Sequence, residues 1–256
     1  MDYSNYGTLK VEMLEQGIMV VSLNRPAKLN AMNMQMLEEL VDIWYRLRRD
    51  LDTRVVILKG EGEKGFCGGM DVGDVLKPET FGNIPAIYDV QLMLGEVELN
   101  MRRMPQPVIC MVHGAAAGAG LTFALASDIR IISPDARFSA AFLNVGIAGA
   151  DMGSSYFLPR LIGAGRAYEF LLPGRWMNAE EAMNLGFASR CVDKDKLFDT
   201  AMEYAQDIAK RDPIAIRLTK EAINQNLDCG SLENALIMEN RNQNMMISHL
   251  ANKMRG

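Results

Sequence analysis

Short apolar blocks set off by polar turns fill the first half of the chain, and apolar residues at helical spacing fill the second. Leu9 to Leu14 and Ile18 to Leu23 have strand character around the turn Glu15-Gln-Gly17, which predicts a hairpin. Beyond the break at Arg25-Pro26, Asn33 stands where a helix cap belongs. Met36, Leu37, Leu40, Ile43, Trp44 and Leu47 then recur with a helical period, predicting a helix over 34–50. The block RVVILKG, ended by Gly60, reads as a strand buried on both faces, as in a parallel sheet. Lys77 to Pro85 is polar and irregular and reads as a mobile lid, followed by a helix over 87–103. Val108 to Val112 and Ile129 to Ser133 are further strand blocks. From about Pro159 the pattern is nearly all helical: Asn178-Ala-Glu-Glu181 looks like a capped helix start, and Ser189 to Val192 is the last strand-like piece. Helices over 195–253 are broken at Asp212-Pro213 and Cys229-Gly230. Alternating strand and helix blocks predict an α/β fold with crossover helices, a core of residues 1–192 and a helical part of residues 193–256.

Between two of these strands lies the stretch PVICMVHGAAAGAGLTFALASD, from Pro107 to Asp128. An apolar strand passes through a turn of small residues, Gly114 to Gly120, into an apolar helix read from Leu121. A helix that starts in such a turn presents unpaired N–H groups and the positive end of its dipole to whatever lies in front. A tight packing turn fits the same residues. The dinucleotide fingerprint does not, because Phe123 stands where it needs a third glycine.

Composition narrows the picture modestly. The 256 residues carry 27 Lys and Arg against 32 Asp and Glu, a net charge of −5 that gives no footprint for nucleic acid. Four cysteines, Cys67, Cys110, Cys191 and Cys229, have no ligand or pairing spacing, so reduced thiols, no metal site and a cytoplasmic location are expected. No signal peptide and no membrane span are expected either. The 19 methionines suit an adaptable apolar cavity as well as ordinary core filling.

Four stretches occur in a fixed order: NRPAKLNAM, KGFCGGMDV, VHGAAAGAGLTFALASDIRI and LPRLIGAGRAYEFLLPGRWMNAEEAMNLGFASRCV. Together, over about residues 8 to 240, the chain resembles the crotonase superfamily, the enoyl-CoA hydratase/isomerase family. The resemblance implies a spiral of ββα turns with a helical C-terminal trimerisation region, assembled as a homotrimer or hexamer. It also implies an acyl-CoA thioester substrate and no cofactor beyond the coenzyme A that the substrate carries. An enolate oxygen would be held by the backbone N–H groups of Met70, after Gly68-Gly69, and of Ala119, between Gly118 and Gly120. Coenzyme A would lie against the loops containing Arg25, Ala27, Lys28, Leu29 and Ala31 and containing Phe66, Gly68, Gly69 and Asp71. Lys28 would meet a phosphate, and Ile87, Leu92 and Met93 would line the acyl pocket.

The two glutamates that hydratases of this family use fall at Thr122 and Phe142 here. A hydroxyl is too weakly acidic to act as a base at neutral pH and a phenyl ring has no proton to give. The carboxylate left nearby is Asp151, in the D-x-G turn Asp151-Met152-Gly153 that resembles the isomerases. The segment is one residue longer than the family's pattern; with the extra residue in 147–150, Asp151 is in register, and otherwise Ala150 takes its place. A purely structural role for Asp151 is capping the next helix. The leading expectation is double-bond isomerisation by one Asp; the alternatives are hydration with water on Thr122, or a non-catalytic acyl-CoA binder. Asp71 is expected to brace its loop, His113 to be a structural histidine, and Glu96 and Glu98 to sit on a solvated helix face. Two departures from the family remain: Pro173 in LLPGR, and a chain that stops at HLANKMRG, before the family's last helix.

Overall fold

The computed structural model describes residues 2–75 and 82–254. Strands β1 (Leu9–Met13) and β2 (Ile18–Leu23) form the expected antiparallel hairpin, Leu9 opposite Leu23 and Met13 opposite Met19. Helix α1 (Met34–Leu47) is capped by the Asn33 side chain, which accepts from the Met36 amide at 3.0 Å. It ends at Leu47, short of the expected Asp50, because the Asp50 carboxylate accepts the amides of Asp52 and Thr53 and closes a turn. After β3 (Val55–Gly60) come the short α2 (Val72–Val75) and the long α3 (Ile84–Arg103).

Helix α3 starts earlier than the sequence pattern suggested. Asn83 caps it by accepting from Ala86, and Pro85 sits in the first turn, where its missing N–H is no loss. Of the segment read as a lid, 77–81 lies outside the described residues and Pro85 belongs to α3. Beyond β4 (Val108–Val112), the turn of small residues contains a short strand, β5 (Ala115–Ala117), and α4 begins at Ala119 rather than Leu121, running to Ala126. There follow β6 (Ile129–Ile132), β7 (Arg137–Ser139), α5 (Ser154–Ile162), α6 (Ala164–Leu171), β8 (Trp176–Asn178), α7 (Ala179–Asn184) and β9 (Arg190–Cys191). The Asn178 side chain caps α7 through the Glu181 amide, as its spacing predicted. Three helices close the chain: α8 (Leu197–Ala209), α9 (Pro213–Asn226) and α10 (Leu232–Lys253).

Six strands form one sheet in the order β1-β2-β3-β4-β6-β9, parallel except for the β1–β2 pair. The small strands β5, β7 and β8 form a second sheet. Successive side chains on β3 alternate between two cores: Val56 and Leu58 join α1, α3 and α4, whereas Val55 and Ile57 join Leu197, Ala201, Ala205 and Ala209 of α8. Both faces of the sheet are covered, which is why its strands read as unbroken apolar blocks. On α9, Lys220 is buried, pairs with Asp128 at 2.8 Å and donates to the carbonyls of Gln106 and Met101. Burial pushes the Lys220 ammonium below its ordinary value, against the pull of Asp128. Helix α10 has no buried residue; Leu236, Ile237, Met245, Ile247 and Leu250 are exposed along it. Among the described residues no helix is long and apolar enough to cross a membrane.

Candidate active site

Two backbone loops meet over the N-terminus of α4. In the first, Cys67 donates to the Ala115 carbonyl and accepts from Ala117, at 3.0 Å each, while Gly69 accepts from Met32 at 2.7 Å and Asp71 donates to Met32 at 2.8 Å. The Met70 amide between these bonds has no hydrogen-bond partner among the described residues. In the second loop, Gly118 has φ +51° and ψ −116°, a conformation suited to glycine, and turns the chain from β5 into α4. Ala119 is the first residue of α4, and its amide is likewise unpartnered among the described residues, as the first turn of a helix requires.

Contact between the glycines brings the two loops together. A methyl group on Gly118 would lie 3.6 Å from the Gly69 Cα, and one on Gly120 would lie 2.5 Å from the Cys67 carbonyl oxygen. A side chain at Gly120 would push the loops apart, whereas at Gly118 it is the positive φ that disfavours one. Both amide-bearing residues line one cavity of about 80 Å³, shared with Gly68, Gly69, Gly118 and Phe142. Leu94, Ala141, Val145, Ile147 and Met152 add apolar wall. Asp151 is the one ionisable residue among its described lining.

Asp151 stands on the turn before α5. Its carboxylate accepts from the Met152 amide at 2.8 Å, and its own amide donates to Ser154 Oγ at 3.1 Å. The cap position of α5 is held by Gly153, without a side-chain cap bond, so Asp151 does not cap the helix. Met152 has φ +47°, a left-handed conformation that is strained for a side chain of this kind and falls beside the cavity. Ala150 is exposed and outside the lining, in keeping with the register that aligns Asp151.

The remaining expected residues divide by environment. Ala27 and Lys28 are exposed, with Lys28 ending a tight turn over Pro26–Lys28, and Leu29 and Ala31 are half-buried. Arg25 donates to the Ala31 carbonyl and to Asp71 at 3.0 Å, so it ties the two loops together, and Asp71 braces its loop as expected. Phe66 is wholly buried in the core, and only its backbone belongs to the loop. Thr122 is also wholly buried; its hydroxyl donates to the Ala119 carbonyl at 2.9 Å and it does not line the cavity. From α3 the lining residue is Leu94, in place of Ile87, Leu92 and Met93; Leu92 is exposed and Met93 packs against the core. His113 is buried with Nε2 2.8 Å from the Gly62 carbonyl, the structural role foreseen, and burial lowers its pKa. His249 meets Asp212 at 3.1 Å.

Two residues carry more than the sequence reading gave them. Asn30, fully buried with φ +51°, accepts from the Arg25 amide and donates to the Glu61 and Phe66 carbonyls, fixing the first loop to the end of β3. Asparagine tolerates this conformation, which is the signal its place in a loop offered. Glu98, expected on a solvated face, is buried at 4% exposure. It falls one turn after Leu94 and between Val97 and Met101, all buried, so helical period alone puts it on the inner face. Desolvation pushes its carboxyl well above the usual carboxylate range, outweighing a downward pull from Thr122, and the charge of Asp151 adds a lesser push upward.

The chain belongs to the enoyl-CoA hydratase/isomerase family, whose model matches residues 13–256. It is an enzyme of that type with the crotonase fold. It is 36% identical over 227 residues to the 1,2-epoxyphenylacetyl-CoA isomerase of Escherichia coli, covering 88% of this chain and 85% of that protein. It is 32% identical over 225 residues to the short-chain-enoyl-CoA hydratase of Clostridium acetobutylicum, covering 88% of this chain and 84% of that protein. The crystal structure of an enoyl-CoA hydratase from Bacillus anthracis superimposes with a TM-score of 0.88 at 34% identity, covering 94% of this chain and 91% of that one.

Proposed function

We propose that this enzyme moves a double bond along the acyl chain of a coenzyme A thioester, with Asp151 as its single acid and base. The observation that supports this reading is the cavity itself: among its described lining, the amide-bearing Met70 and Ala119 meet one carboxylate and otherwise apolar groups. The two N–H groups would receive the thioester oxygen as negative charge develops on it, each contributing roughly 3–4 kcal/mol in a dry site. Asp151 would take a proton from one carbon, and the electron pair of that C–H bond would move into the enolate held at the amides. The same carboxyl would then return the proton to another carbon, shifting the double bond with no change in composition and no external oxidant or cofactor. Hydration is the less favoured reading, because Thr122 gives its hydroxyl hydrogen to Ala119 and stands outside the cavity.

Coenzyme A itself would follow the loop of Arg25 to Ala31 and the loop of Gly68 to Asp71, with the exposed Lys28 as phosphate partner. Residues 1–192 would form the catalytic body and 193–256 the assembly region. The exposed apolar side chains of α10 support an assembly face, and the family resemblance sets the expected assembly as a trimer or a hexamer. Four unpaired thiols suit a reducing, cytoplasmic setting. The test is a panel of 2-enoyl-, 3-enoyl- and dienoyl-CoA thioesters. Conversion between positional isomers supports the proposal, whereas accumulation of 3-hydroxyacyl-CoA as the main product, or tight binding without turnover, contradicts it.

A further inference from the structure

The carboxyl group of Glu98 is a buried charge-bearing group that the mechanism above leaves unused, and, unlike Asp50, Arg130 and Lys220, it has no hydrogen-bond partner among the described residues. Both of its oxygens are shielded from solvent. It extends from α3 on the face that also presents Leu94 to the cavity. Thr122 of α4 faces it, yet directs its hydroxyl hydrogen to the Ala119 carbonyl, 2.9 Å away. On its far side Thr122 Oγ1 lies 3.7 Å from the sulfur of Met152, the neighbour of Asp151. Thr122 therefore lies between Glu98 and the residue next to Asp151, and the charge of Asp151 adds to the upward push on the Glu98 carboxyl.

We propose that Glu98 is a positioning residue for proton transfer at Asp151, acting through Thr122 on the first turn of α4 and on the Met152 side chain beside Asp151. The inference rests on Asp151 being the acid and base of the site. An ionised, unpaired carboxylate at this depth is costly, whereas a neutral carboxyl is itself a donor. Its O–H is matched by the lone pair that Thr122 Oγ1 keeps once its own hydrogen goes to Ala119. The chain then runs from Glu98 through Thr122 to the first turn of α4, the turn that presents the Ala119 amide to the cavity. Ionising Glu98 would reverse it, drawing the threonine hydrogen off Ala119 and setting a second negative charge beside Asp151.

Among the described residues no cation pairs with Glu98 to neutralise that second charge. Helix α1 offers Glu98 an apolar buried face. Glu98 also stands on the wall of a groove where Arg102 is held by Asp128 at 3.0 Å, Lys220 by the same carboxylate at 2.8 Å, and Tyr156 by Asp228 at 2.6 Å. Arg48, Arg103, Arg217 and Glu221 line the same groove and form no ion pair with Glu98.

The decisive experiment combines kinetics with infrared spectroscopy on the intact enzyme. In the wild type, kcat/KM should fall on the alkaline side as Glu98 ionises. Glu98→Gln, neutral at every pH and still able to donate to Thr122, should lower kcat/KM at neutral pH only about threefold and remove that alkaline fall. The carbonyl stretch of a protonated carboxylic acid, absent in Glu98→Gln, should persist at neutral pH in the wild type and titrate at lower pH in Asp151→Asn. An alkaline fall that survives in Glu98→Gln overturns the proposal, as does a band missing at neutral pH or unmoved by Asp151→Asn. Undiminished turnover in Asp151→Asn would defeat the acid–base reading instead; the infrared readout needs no turnover and separates the two failures.

Discussion

The Arg25 guanidinium meets the Asp71 carboxylate at 3.0 Å, and the same guanidinium donates to the Ala31 carbonyl. One side chain thus joins both loops proposed to carry coenzyme A, and holds Asp71 directly after the Met70 amide. Arg25→Ala should loosen this seat without touching the proton-transfer residue. Steady-state kinetics should show KM for an active acyl-CoA raised roughly fivefold with kcat within about a factor of two. A loss confined to kcat would place Arg25 in the chemical step instead.

Two glycines with opposite surroundings test the contact between the Cys67 loop and the start of α4. A methyl group on Gly120 would meet the Cys67 carbonyl oxygen at 2.5 Å, whereas one on Gly95, inside α3, has nothing within 4 Å. Gly120→Ala should destabilise the protein by about 1–3 kcal/mol and depress kcat. Gly95→Ala should stabilise it by about 0.5–1 kcal/mol. Urea melts of the two variants read both effects, and equal midpoints would deny the close packing of α4 on the Cys67 loop.

Glu98 makes stability depend on pH in a direction fixed by its shift. Its folded carboxyl holds a proton above the ordinary value of 4.5, so between that value and the raised one the native state binds more protons than the unfolded chain. Stability attributable to this group therefore falls as pH rises through that window, at up to about 1.4 kcal/mol per pH unit. Glu98→Gln removes the dependence, so its advantage over the wild type in chemical unfolding should grow from pH 5 to pH 7. A constant difference would mean that Glu98 ionises normally.

Thiol labelling checks the burial pattern directly. Cys67 and Cys110 are buried, and desolvation pushes both thiols up to about 12, so neither should react in the folded enzyme. Exposed Cys191 and half-buried Cys229 should label first. Rapid modification of four thiols per native chain would contradict the packing of β4 and the Cys67 loop.

Much of the fold is written in side-chain periodicity. The helix face of α1 and the apolar blocks of β2, β3, β4 and β6 were legible because one hydrophobic pattern has one way to be buried. The short strands β5, β7 and β8 were not. Ala115–Ala117 lies among glycines with no side-chain signal, and β7 and β8 are three residues each, defined by pairing with distant partners. Within the site, the glycine loops and Asp151 could be named from motifs, because backbone donors demand small residues close by. Glu98 was missed although helical period places it with Leu94, Val97 and Met101, because a charged side chain ordinarily marks a solvated face. That Leu94 is the α3 residue reaching the cavity depends on how α3 packs on α1 and α4. The aspartate's capping role failed for a local reason: its carboxylate is spent on the adjacent Met152 amide, and Gly153 takes the cap position.

Asp151 carries the central claim, and hydrogen exchange at the substrate's carbons isolates it. Incubated in deuterated water with an enoyl-CoA that the wild type isomerises, Asp151→Asn should bind the thioester with near-normal affinity. Its rates of isomerisation and of deuterium entry should both fall at least about a hundredfold. Deuterium entering at the wild-type rate in Asp151→Asn would contradict the account.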